Sequence, residues 1–93
     1  MKTLVIDGGM MTDREAAHDY LALRLALPDH YGRNLDALFD ALTERSEPTR
    51  LVVYRRGEME AALGDYGGSL LEALRDAARD NPSLQVLCDG EDT

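Results

Sequence analysis

The chain has 93 residues, 18 of them acidic and 10 basic, for a formal net charge of −8. That length fits one domain, 1–93, with room for a modest core and none for a large internal ligand chamber; 44% hydrophobic and 30% charged residues mark it as globular. The acidity excludes a binder of the nucleic-acid backbone, which needs clustered Lys and Arg, and leaves two readings of the surface: solubility alone, or attraction of a basic partner.

In chain order, Leu4-Val5-Ile6 is a compact apolar run closed by Asp7-Gly8-Gly9. It predicts a buried strand and a turn. The run is too short for a signal peptide or a membrane span. Cys88 is the only cysteine, so no internal disulfide forms, and a reducing cytoplasm is the expected setting. Thr12-Asp13-Arg14-Glu15 has the form of a capping box, with Thr12 as the cap and Glu15 reaching back. Ala16, Ala17, Tyr20, Leu21, Ala22 and Leu25 continue a helix that Pro28 stops.

Gly32-Arg33-Asn34 breaks and restarts the chain. Asn34 is the expected N-cap of a second helix, and Asp36 suits the positive end of its dipole. This helix is expected to fray near Glu47-Pro48. Leu51-Val52-Val53-Tyr54 predicts a second strand. Met59, Ala62 and Leu63 predict a short helix ended by Gly64, with Asp65-Tyr66-Gly67-Gly68 as a loop. Leu70, Leu71, Leu74, Ala77 and Ala78 form the apolar stripe of a last helix, which Asn81-Pro82 terminates. Leu84-Gln85-Val86-Leu87-Cys88 predicts a third strand, followed by an acidic tail. Helical crossovers between three short apolar strands indicate an α/β fold of two layers, a small parallel sheet packed by helices.

The residues do not assemble an enzyme. His18 reads as a surface or packing residue of the first helix. His30 lies beside Asp29, but no nucleophile accompanies the pair. Cys88 has no CxxC companion and reads as a buried, inert thiol. Asp7-Gly8-Gly9 lacks the spacing of a phosphate loop. Arg45, Arg50, Arg55 and Arg56 are interspersed with acids and read as ordinary solvated surface. No metal or other cofactor is expected.

The second helix is the most informative segment. Asp36, Asp40 and Glu44 recur at i, i+4 and i+8 and form one negative stripe. Leu35, Leu38 and Leu42 form the opposite, buried stripe. One helix splays its carboxylates, which suits a divalent cation poorly. Acidic solvent faces are common. Against that reading, Asp40 and Glu44 repel each other at a cost of a few tenths of a kcal/mol. Phe39, the only phenylalanine, sits at the margin between the stripes, either as a core residue or as an interface anchor.

From Leu27 to Leu42 the order LPxxYGxNLDALxDxL resembles the signature of the barstar family, intracellular inhibitors of secreted ribonucleases such as barnase. The likeness is densest from Leu25 to Leu42. It extends more loosely over the chain through element order and the Leu74-Arg75-Asp76-Ala77-Ala78 segment. The resemblance implies a barstar-like fold and a partner-binding surface with no catalytic role. Asp36 and Asp40 match the family's principal acidic contacts. Tyr31, Gly32 and Asn34 match its loop, and Asp76 a peripheral contact. Three positions depart from the pattern. His30 stands where the family's name-giving member has a second aromatic beside Tyr31, Phe39 stands where it has tryptophan, and Glu44 replaces a small residue. The implied partner is a basic, secreted, barnase-like ribonuclease, with no direct contact to nucleic acid or membrane. The free chain is expected to be a monomer. The alternative is a small acidic regulatory domain that binds a basic protein other than a nuclease.

Overall fold

A computed structural model describes residues 1–88; the acidic tail expected at 89–93 lies outside the described residues. Three parallel strands, β1 (Lys2–Asp7), β2 (Thr49–Tyr54) and β3 (Leu84–Cys88), form one sheet in the order β1-β2-β3. Helices α1 (Arg14–Arg24) and α2 (Leu35–Thr43) connect the first two strands. Helices α3 (Arg56–Leu63) and α4 (Asp65–Asp80) connect the second and third. A 3-10 turn at Gly8–Met10 follows β1.

The side-chain period of two sorts each strand onto two faces. Ile6, Thr49, Leu51, Val53, Leu84 and Cys88 point inward and are buried under the helices. Val5, Val52 and Leu87 point the other way and are matched across the sheet by register. Val5 is 47% and Leu87 51% exposed, so the helices cover one face of the sheet only. This is the two-layer α/β arrangement expected from the sequence. The shared core takes Leu21 from α1 and Leu25 from its C-cap, Leu38 and Leu42 from α2, Met59 from α3, and Leu70, Leu74 and Ala77 from α4.

Helix boundaries differ from the sequence reading in four places. Asp13, not Thr12, caps α1: its carboxylate accepts the Ala16 amide at 2.8 Å. Glu15 is thereby brought one position too close for a capping box. The end of α1 is set before Pro28 is reached. The Leu27 amide donates to the Ala22 carbonyl at 2.9 Å and the Ala26 amide to Leu23 at 3.4 Å. This is a Schellman closure with Ala26 in the left-handed conformation at φ 53°. Helix α2 stops at Thr43, short of the Glu47-Pro48 break.

The fourth difference is at 65–68, expected as a loop and found as the first turn of α4. Gly64 alone makes the reversal between α3 and α4, at φ 62° and ψ −137°. Gly67 serves packing instead: a Cβ there would meet the Cα of Glu60 at 3.1 Å. Of a glycine pair that signals a turn in sequence, Gly67 here permits close approach of two helices, while a Cβ at Gly68 would meet nothing within 4 Å.

Candidate functional site

Asn34 caps α2 as expected, accepting the Ala37 amide at 2.8 Å. Its amide also donates to the Gly32 carbonyl at 3.2 Å. Leu38 and Leu42 are fully buried, and α2 packs along α4. One face of α2 is thus pinned, and the other lifts Asp36, Asp40 and Glu44 into solvent. Among the described residues no basic side chain forms an ion pair with any of the three. The end of α2 is also fixed: Asn81, itself buried, donates to the carbonyls of Leu42 and Arg45 at 2.8 Å each.

The stripe is a ridge between clefts. On one side a cleft of about 340 Å³ gathers His30, Tyr31, Gly32, Asp40 and Glu44. On the other side a shallower cleft of about 200 Å³ between α2 and α4 gathers Asp36, Phe39 and Asp76. Asp76 is part-buried and paired with Arg79 at 2.8 Å. Phe39 is partly buried against the core, in line with the first of its two sequence readings, and also lines this second cleft. Eight of the nine residues singled out in the sequence thus line these two clefts, and the ninth, Asn34, caps α2.

Asp29, His30, Gly32 and Arg33 are exposed, and the Tyr31 amide donates to the Pro28 carbonyl at 2.9 Å. Arg33, rather than the glycine before it, takes the left-handed conformation, at φ 55°. Its guanidinium pairs with Asp19 of α1.

One residue of this region escapes the sequence reading. His18, expected as a surface or packing residue, is 2% exposed. Its Nδ1 lies 2.6 Å from the Tyr31 hydroxyl and its Nε2 lies 2.6 Å from the Tyr66 hydroxyl. Burial pushes the imidazole below its ordinary titration range, the Arg33 cation adds to this, and Asp19 opposes it. Burial, with a contribution from Tyr66, pushes the Tyr31 phenol up to about 12, against the pull of Arg33. Both groups are neutral near pH 7. No signal in the sequence singles out His18, because its partners are 13 and 48 residues away.

The arginines expected as solvated surface carry structural contacts. Arg45 is largely buried and donates to the Thr49 hydroxyl at 2.9 Å and to the Leu25 carbonyl at 3.0 Å, joining the end of α1 to β2. Arg55 grips both oxygens of Asp7 at 2.9 and 2.8 Å. This pairing, with the Gly9 amide, holds the Asp7 carboxyl below its usual range. Cys88 is a buried free thiol. Among the described residues no cluster of His, Cys, Asp and Glu is arranged to hold a metal ion. No described helix is long and apolar enough to cross a membrane.

Comparison with known proteins bears on the chain as a whole. A family model described as Barstar (barnase inhibitor) matches residues 1–89. The protein named "Putative ribonuclease inhibitor YrdF" of Bacillus subtilis (strain 168) is 40% identical over 78 residues, covering 83% of this chain and 86% of that protein.

Proposed function

The chain belongs to the barstar family, and from that premise we propose that it is an intracellular inhibitor of a basic, secreted, barnase-like ribonuclease. It acts as a plug and not as a catalyst. A ribonuclease holds RNA phosphates with Arg, Lys and His. Carboxylates on a rigid helix satisfy the same cations and offer no scissile bond. Asp40 meets the most positive point of the enzyme, with Asp36 beside it and Glu44 extending the row. Tyr31 and Phe39 add apolar contact area, Gly32 admits close backbone approach, and His30, Asn34 and Asp76 border the interface.

The observation that carries this reading is the pinned α2 with three exposed carboxylates that form no ion pair among the described residues. Their mutual repulsion is a small cost in the free protein that a cationic partner reverses. The net charge of −8 adds long-range attraction to a basic enzyme.

The test is titration of the purified chain into small basic secreted ribonucleases with a fluorogenic RNA substrate. Stoichiometric loss of cleavage, reversed by Asp40→Ala, is expected. Recovery of a basic partner by pull-down without loss of any RNA cleavage would replace the reading with the regulatory alternative.

A further inference from the structure

We propose that His18 is the positioning residue of the partner-facing loop: it holds Tyr31 on one side and Tyr66 on the other, so that the loop is fastened to α1 and α4 through one buried imidazole. That the loop faces a partner rests on the inhibitory reading above; the fastening itself does not.

The loop has few other ties. Around Tyr31 its neighbours Asp29, His30, Gly32 and Arg33 are exposed. The Arg33–Asp19 pair is about half exposed on both sides, where an ion pair contributes little. Tyr31 is the member of the loop that reaches inward, and its hydroxyl ends on His18. Tyr66 arrives from the first turn of α4, with the Arg14 guanidinium 4.2 Å above its ring. A neutral imidazole has one donor and one acceptor nitrogen. One hydroxyl therefore accepts from the ring and the other donates to it, and the buried ring is fully satisfied.

The charged and titratable groups around the imidazole come from every packed element. Helix α1 contributes Arg14, Glu15 and Asp19, the loop Tyr31 and Arg33, α2 Asp36, and α4 Tyr66. A proton on His18 converts its acceptor nitrogen into a donor. The hydroxyl that donated to it must then rotate its own proton elsewhere to accept from the ring, in a cleft that already holds the Arg33 cation. The fold thus favours the neutral ring. The fastening is complete above the ordinary imidazole range and weakens as pH falls below about 6.5, where the unfolded chain takes up the proton first.

The experiment reads backbone order parameters of residues 29–33 by NMR at pH 7.5 and pH 5 in the parent, Tyr66→Phe and His18→Gln proteins. In the parent the values fall toward about 0.6 in acid. Tyr66→Phe, a change on α4, lowers them at both pH values. His18→Gln keeps a donor and an acceptor, holds the loop at pH 7.5 and abolishes the acid response. A Tyr66→Phe loop as ordered as the parent, or an acid response that persists in His18→Gln, overturns the proposal. If His18→Gln does not fold, Tyr66→Phe and Tyr31→Phe decide the matter at pH 7.5. A second arm measures dissociation from the ribonuclease of the inhibition assay, expected to be severalfold faster for Tyr66→Phe. Loop loosening with no ribonuclease bound by any variant would overturn the inhibitory reading and leave the fastening role standing.

Discussion

Asn81 donates a side-chain hydrogen bond to the carbonyl of Leu42 at 2.8 Å, across 39 residues of chain. The same amide serves Arg45, and its oxygen accepts the Ser83 amide at 2.9 Å. The last carbonyls of a helix have no partner within it, so one buried side chain closes the end of α2 and turns the chain into β3. Asn81→Ala is expected to destabilise the fold by about 1–3 kcal/mol, because the buried Leu42 carbonyl and the part-buried Arg45 carbonyl each lose a donor. Urea denaturation checks this; a loss under about 0.5 kcal/mol would mean that water replaces the amide without cost.

Ala26 lies in the left-handed region at φ 53°, at the Schellman position after α1, and is exposed. An L residue with a Cβ is strained there by about 1–2 kcal/mol, while glycine adds about 0.4–1 kcal/mol of unfolded-state entropy. Ala26→Gly is therefore expected to stabilise the chain modestly, by up to about 1 kcal/mol. The readout is the urea midpoint at unchanged slope.

Asp40→Ala is expected to weaken ribonuclease binding by about 2–5 kcal/mol through faster dissociation, since it strands buried cations on the enzyme. Asp29→Ala, at the outer edge of the loop, is expected to change affinity by under about 0.5 kcal/mol. Surface-binding kinetics of both variants, with circular dichroism as the folding control, distinguishes the ridge from its surroundings.

Association is expected to slow at least about tenfold between low and high salt, with dissociation changing far less. Stopped-flow mixing at two ionic strengths measures this. An association rate indifferent to salt would remove charge steering from the mechanism.

The Asp7–Arg55 pair gives an acid limb to stability. The folded Asp7 carboxyl titrates below its usual 3.8, first through its Arg55 hydrogen bonds. Its contribution is present above about pH 4 and is lost as pH falls through the lower folded value. Asp7→Asn is expected to flatten the stability profile between pH 2 and 4 (about the interval in which such a carboxyl titrates) and to leave the profile near pH 7 unaltered in shape.

Much of this was legible in the residues. The strands announced themselves as short apolar runs, and α2 by a cap, a buried leucine stripe and an acidic one. These signals lie within a few residues of one another. What was not legible depends on distance along the chain. Asn81 reads as a helix breaker, and nothing local says that its amide reaches Leu42. His18 reads as a surface or packing residue of the first helix, and its hydrogen-bond role is hidden until α4 brings Tyr66 beside it. Tyr66 was hidden in turn by Gly67 and Gly68, whose turn signal was overridden by the packing of α3 on α4. Arg45 shows the same limit: its partners Leu25 and Thr49 belong to other elements.

The row of Val5, Val52 and Leu87 lies on the side of the sheet that no described helix covers, while the acidic ridge belongs to the helical layer. A partner clasped at the ridge leaves that back wall uncovered. Thr3 and Gln85, exposed on the same wall, are thus natural points for a dye or a tether, where a label reports capture without standing in its way.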